Sequence, residues 1–180
     1  FDGLQPMTAV VGGDARPSTS NLKQCIIAGL TANGVNVIHL GGIAPTPVIY
    51  WAKEKKQAQA AAIVTASHSP PDWNGLKVMN GNLPPTADDI KQLASNLDDD
   101  SAGLPGAVEF WDDAVESYIT EKTALFAGIE LAQTKIVVDP GNGCQVDVAS
   151  KILKNLGAQV TAINDRLDGT FSDRHPDCSV

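Results

Sequence analysis

At 180 residues, with 43% hydrophobic but only 5% aromatic side chains, the chain can build one core from Ala, Val, Ile and Leu and begin a second, which favours helices packed on a sheet over an aromatic-rich barrel. The net charge of −8 is uneven: residues 1–87 carry a net +2 and residues 88–130 a net −9, so an anionic small molecule suits the first segment, and the lack of any basic stripe argues against nucleic acid. No apolar run approaches the roughly 20 residues that cross a bilayer, no leader pattern opens the chain, and three cysteines without metal-ligand spacing (Cys25, Cys144, Cys178) suggest reduced thiols in the cytoplasm.

Thr8 to Gly12 reads as a short buried strand. Ser18-Thr19-Ser20 offers N-caps for a helix that carries Leu22, Cys25, Ile26 and Leu30 at helical spacing and ends at Asn33-Gly34. Val35 to Leu40 is a second strand, Pro45 to Lys56 a second helix with prolines in its first turn, and Ala60 to Ala66 a third strand. Strand alternating with helix predicts a largely parallel sheet with crossover helices on both faces. Gly75 to Met79 adds a strand and Ala87 to Leu97 a helix.

Residues 98–108 lose apolar periodicity and read as a loop, in which Asp98-Asp99-Asp100 is expected to be solvated. Glu109 to Phe126 reads as a helix, with Phe110, Ala114, Ser117 and Tyr118 near one another. A strand over Lys135–Asp139, a turn at Gly141-Asn142-Gly143, a helix through Val146, Ile152 and Leu156, and a strand over Ala158–Ile163 follow. Val10 to Asp14 with its helix and strand resembles Val137 to Gly141 with its own, so a second copy of the same unit is expected to begin near residue 131. The chain starts at Phe1 rather than Met, as an excerpt or processed product would.

The stretch Thr65-Ala66-Ser67-His68-Ser69-Pro70-Pro71-Asp72-Trp73-Asn74-Gly75-Leu76-Lys77 concentrates the chemistry. In a doubly wound sheet ligands gather beyond the carboxyl ends of parallel strands, where Ser67 falls. Two prolines stiffen the turn, and His68 and Lys77 can meet a phosphate borne by the serine. Ser and His adjacent after a strand also make an ordinary polar turn, and neighbouring residues on an extended chain point apart, which disfavours a protease-type triad. His39 reads as a structural strand residue and His175 as part of a turn. Gly141-Asn142-Gly143 lacks the third glycine of a dinucleotide fingerprint, and no GxxxxGK[ST] occurs.

On these residues the chain resembles the α-D-phosphohexomutases, in particular the phosphomannomutase/phosphoglucomutase branch. The serine loop is similar to the family's T-[AG]-S-H-N-P-P-x-[YW]-N-G-x-K, with Ser69 where Asn is usual. Gly12-Gly13-Asp14-Ala15-Arg16, Ala44-Pro45-Thr46-Pro47, Val137 to Gly143, Asp168-Gly169-Thr170-Phe171 and His175-Pro176-Asp177 agree as well. The resemblance implies reversible phosphoryl transfer between C1 and C6 of a mannose or glucose phosphate, through a phosphoserine and a hexose 1,6-bisphosphate. It implies Ser67 as the phosphoserine and one ligand of Mg²⁺, His68 and Lys77 as catalytic contacts, and Arg16 near the loop as a substrate contact. It also implies four domains. Residues 1–130 would be the first, residues 131–180 the opening of the second, and the metal loop and sugar-selecting loop would lie in the remaining domains of the same polypeptide. A serine-based sugar-phosphate phosphatase and a non-catalytic sugar-phosphate-binding domain stand as alternatives.

Overall fold

The computed structural model describes residues 6–95 and 104–179. Among these residues the strands are β1 (Thr8–Gly13), β2 (Asn36–Leu40), β3 (Ala60–Val64), β4 (Leu76–Asn80), β5 (Val108–Trp111), β6 (Lys135–Val138) and β7 (Gln159–Ala162). The helices are α1 (Thr19–Ala32), α2 (Thr46–Lys55), α3 (Ala87–Ser95), α4 (Ala114–Leu125) and α5 (Val148–Asn155). No helix among the described residues is long and apolar enough to cross a membrane.

The first sheet has the order β4-β3-β1-β2-β5. Every pairing is parallel except β3 with β4, so the sheet is mixed and largely parallel, as the alternation of elements predicts. Side chains alternate across a strand, and the core divides accordingly. Val10, Ile38, Leu40, Ala61 and Ile63 face α2 and α4, whereas Val11, Val37 and Ala62 face Ile26, Ile27 and Leu30 of α1. Each fully buried Val, Ile or Leu contributes about 1.5–3 kcal/mol. Gly12 is required for this packing, because a Cβ there would lie 2.7 Å from two side-chain carbons of Ile49 on α2.

One predicted element is wrong. Glu109 to Trp111 is not the start of a helix but the body of β5, which pairs with β2 in parallel register, Val37 opposite Val108 and Leu40 opposite Trp111. Val108, Phe110 and Trp111 are β-formers, and β2 without β5 would leave a row of backbone groups unpaired. The helix starts only after Asp112-Asp113, at Ala114. Residues 104–107 are irregular as expected, while Asp98 to Asp100 and Leu97 lie outside the described residues.

The segments expected to be similar, β1-α1-β2 and β6-α5-β7, both fold as parallel βαβ units. β6 and β7 form their own two-stranded sheet, and α5 packs against α4. The carboxyl ends of β1, β2 and β3 share one rim. Antiparallel β4 starts at that rim and runs back from it, with Leu76 opposite Val64 and Lys77 opposite Ile63.

Candidate active site

β3 ends at Val64, two residues earlier than its composition suggests, and the chain turns sharply at Ser67. Ser67 has φ +56°, in the left-handed region that costs an L-residue roughly 1–2 kcal/mol. Such a conformation persists where surroundings enforce it, and here they do. The Ser67 amide donates to Thr65 Oγ1 at 3.0 Å, the Ser69 amide to the Ala66 carbonyl at 3.1 Å, and the Trp73 amide to the Pro70 carbonyl at 3.1 Å.

Arg16 accounts for the rest. Its side chain is fully buried, and all five N–H donors are taken. Nε donates to Asp14 Oδ2 at 3.0 Å. Nη1 donates to the carbonyls of Pro70 and Trp73, and Nη2 to those of Ser67 (2.9 Å) and Ser69 (2.8 Å). Arg16 therefore lies beside the serine loop, as expected, but has no donor left for a substrate, and the expected substrate contact is not what this geometry provides. It holds the loop from behind.

Asp14 closes the same knot. Its carboxylate accepts from Arg16 Nε and the Arg16 amide, and from Thr19 Oγ1 and Thr65 Oγ1, both at 2.7 Å. The residues expected to cap α1 serve the loop too. Ser18 makes no side-chain cap bond, and Asn74 Nδ2 donates instead to Ser18 Oγ (2.9 Å) and Thr19 Oγ1 (3.0 Å).

In front of the loop is a cleft of about 290 Å³, and Ser67, His68 and Lys77 all line it. All three are exposed, and among the described residues none of their side chains is committed to a hydrogen bond or ion pair. Opposite them stand residues from the second βαβ unit and its trailing segment, including Asp139, Arg174, His175 and Cys178. Arg174 Nη1 donates to Asp139 Oδ2 at 2.8 Å. Asp139 is held below the usual carboxylate range by hydrogen bonds from Asn164 and the Gly141 amide, together with the Arg174 charge. Burial and the Asp14 charge push the Cys144 thiol up to about 11, so it stays neutral near pH 7.

The two sides of the cleft are joined tightly. Gly169 lies so close to Ala15 that a Cβ would sit 1.8 Å from its carbonyl oxygen, and the Phe171 ring lies 5.2 Å from the Arg16 guanidinium carbon. The Gly141-Asn142-Gly143 turn supports that segment. Buried Asn142 donates through Nδ2 to the Arg166 carbonyl (2.8 Å) and to Asp173 Oδ2 (2.9 Å). Sequence reasoning grouped Ser67, His68 and Lys77 correctly in space but did not foresee that Arg174, His175 and Cys178 complete the wall. The internal similarity of Val10–Asp14 to Val137–Gly141 was the available signal, since each stretch closes the first strand of a βαβ unit and Asp14 and Asp139 both line the cleft.

Comparison with known proteins follows the same outline. A family profile described as phosphoglucomutase/phosphomannomutase, alpha/beta/alpha domain I, matches residues 4–102. A phosphoglucomutase of Neisseria meningitidis serogroup B is 35% identical over 174 residues, covering 94% of this chain and 36% of that protein. A phosphoglucosamine mutase of Pelotomaculum thermopropionicum is 33% identical over 168 residues, covering 89% of this chain and 37% of that protein. A crystal structure of a phosphoglucomutase/phosphomannomutase family protein from Burkholderia thailandensis superposes with a TM-score of 0.83 at 30% identity, covering 97% of this chain and 39% of that one. The chain thus spans little more than a third of the length of these relatives.

Proposed function

The chain belongs to the phosphoglucomutase/phosphomannomutase family, and on that premise we propose that Ser67 carries the phosphoryl group in reversible transfer between C1 and C6 of a hexose phosphate. The observation that carries this reading is the left-handed elbow at Ser67. Its backbone is fixed by Arg16 and Thr65, while its hydroxyl stands free in a cleft shared with His68 and Lys77.

In the proposed cycle a sugar hydroxyl attacks the phosphorus of phosphorylated Ser67. The bond from phosphorus to Ser67 Oγ breaks and a hexose 1,6-bisphosphate forms. After the sugar turns over, Ser67 Oγ takes the other phosphoryl group back. Phosphoryl transfer asks the protein for position and charge neutralisation. The rigid elbow supplies position. Lys77 supplies positive charge to the equatorial oxygens, and His68 exchanges the proton that Ser67 Oγ gains when it leaves and loses when it attacks.

Mg²⁺ fits this scheme in part. It prefers oxygen donors, and Ser67, through its hydroxyl or the phosphate it bears, offers one. Asp14 does not offer another, since hydrogen bonds already occupy both its oxygens. The ion, when bound, would neutralise charge on the transferring group. Its remaining ligands and the sugar contacts are proposed to come from further domains of the same polypeptide, with residues 131–180 opening the second of them. The proposed setting is the cytoplasm, in keeping with the odd number of cysteines.

The test is Ser67→Ala in the protein with all its domains. Both hexose phosphate turnover and incorporation of labelled phosphate into protein should vanish. Retained labelling at wild-type stoichiometry would remove Ser67 from the reaction.

A further inference from the structure

His68 belongs to the serine loop, and Asp177 and Cys178 follow more than 100 residues later, yet one ligand atom of each lies within 4.8 Å of those of the others. The set is one imidazole nitrogen, one carboxylate oxygen and one sulfur. Zn²⁺ and ions like it take such mixed N, O and S donors in tetrahedral sites with ligand distances of about 2.0–2.3 Å, whereas Mg²⁺ demands oxygens. Donors already this near one another need to close by only about an ångström to meet a common ion.

The side chains are free to close. His68 and Cys178 are exposed, and among the described residues neither is engaged in a side-chain hydrogen bond. Asp177 Oδ1 accepts from the Ser179 amide (2.9 Å) and Ser179 Oγ (2.7 Å), which orients the carboxylate and leaves Oδ2 available. Those bonds, with the His68 and His175 charges behind them, hold Asp177 below the usual carboxylate range. His175 itself is turned to another purpose, since its Nδ1 accepts from the Asp177 amide at 3.1 Å. Cys144, the other cysteine of the cleft, is kept neutral by burial and is not a competing thiolate.

We propose that His68, Asp177 and Cys178 form a binding site for a thiophilic divalent ion, Zn²⁺ in chemical class, that bridges the serine loop to the 175–178 segment. The fourth position faces the cleft and is open to water or to an oxygen of the phosphate on Ser67. Binding here occupies the imidazole beside the serine, so the site acts as a brake on the phosphoryl chemistry. The brake rests on the proposed mutase reading; the metal site does not.

The test uses Co²⁺ as a spectroscopic probe on the full-length protein with Mg²⁺ present in excess, which keeps all-oxygen sites filled. One equivalent of Co²⁺ should give a thiolate-to-cobalt charge-transfer band, and Zn²⁺ should bleach it stoichiometrically. The band should persist in Cys25→Ser and in Ser67→Ala, disappear in Cys178→Ser, and require ~10-fold or more additional Co²⁺ in Asp177→Asn. Zn²⁺ should inhibit turnover of wild type more strongly than that of Cys178→Ser. Circular dichroism confirms the fold of each variant, which the exposure of Cys178 favours. The proposal is overturned if wild type gives no thiolate band, or if Cys178→Ser retains it. Persistence of the band in Ser67→Ala separates the metal site from the fate of the serine mechanism.

Discussion

Replacing Arg16 tests whether the serine elbow is enforced from behind. The guanidinium donates five hydrogen bonds, one to Asp14 and four to carbonyls of residues 67, 69, 70 and 73. Lysine keeps the charge but has three N–H donors instead of five and no planar fork, so at least two acceptors are abandoned. An abandoned acceptor costs about 1–3 kcal/mol when buried and less where water reaches it. The loop residues are largely at the surface, so Arg16→Lys is expected to destabilise by about 2 kcal/mol. Arg16→Ala also strips Asp14 of its cation and should lose about 3–5 kcal/mol. Urea unfolding followed by tryptophan fluorescence measures both, and amide exchange at residues 67–74 should rise in the Lys variant before any global change. The reasoning is refuted if Arg16→Lys stays within about 0.5 kcal/mol of wild type with unchanged loop exchange, because the five bonds would then not be holding the turn.

Other perturbations read other parts of the structure. Ser67→Gly should raise stability by about 0.5–1 kcal/mol in urea, since glycine accepts φ +56° without strain, while Ser67→Ala should gain nothing; equal midpoints for the two would argue that the elbow is unstrained. Gly169→Ala should cost about 1–3 kcal/mol, because its Cβ meets the Ala15 carbonyl carbon at 2.6 Å and its oxygen closer still; an unchanged thermal midpoint would show that the two sides of the cleft are not locked together there. Burial, and then the Lys23 charge, lower the His39 pKa, so the folded state takes up that proton less readily than the unfolded one. Stability from this group is complete above about pH 6.5 and declines as pH falls below it, by at most about 1.4 kcal/mol per pH unit. His39→Gln should flatten that decline in urea midpoints, and an unaltered slope would exclude His39 as its source. The 180-residue chain alone should turn over hexose phosphate negligibly in a coupled assay, and activity near that of a longer relative would contradict the proposed need for further domains.

The legibility of the sequence varied for physical reasons. β1, β2 and β3 carry runs of Ala, Val and Ile buried on both faces, and such runs declare themselves. β5 did not, because Phe110, Ala114, Ser117 and Tyr118 fall at helical spacing and nothing local reveals that β2 needs a partner on its open side. Ser67, His68 and Lys77 were readable because one continuous loop and one antiparallel pairing bring them together. The acceptors of Arg16 are backbone carbonyls, which have no sequence signature, so its role as a clamp was hidden and a ligand contact was the natural reading. His68 in the loop after β3 meets Asp177 and Cys178 in the segment that follows β7, and no spacing rule reaches that far.

The charges around the cleft explain why a well-placed hydroxyl is not by itself a catalyst. Asp14 is answered by Arg16 and Asp139 by Arg174, so those four residues contribute little net field at Ser67. Among the described residues lining the cleft, Lys77 is the remaining cation without an acidic partner, with His68 and His175 able to add charge by protonation. A phosphorylated serine carries close to two negative charges near neutral pH, and the transferring group must be neutralised again while it moves. One ammonium beside the elbow meets about half of that demand. In the proposed reaction the elbow would fix where the phosphoryl group sits, and most of the charge that lets it leave would have to be supplied by a divalent ion or by cationic groups of the proposed further domains. The proposed thiophilic ion on His68, Asp177 and Cys178 would bring positive charge to the same place but would occupy the imidazole proposed to move the proton, which is why the same geometry would serve as a brake.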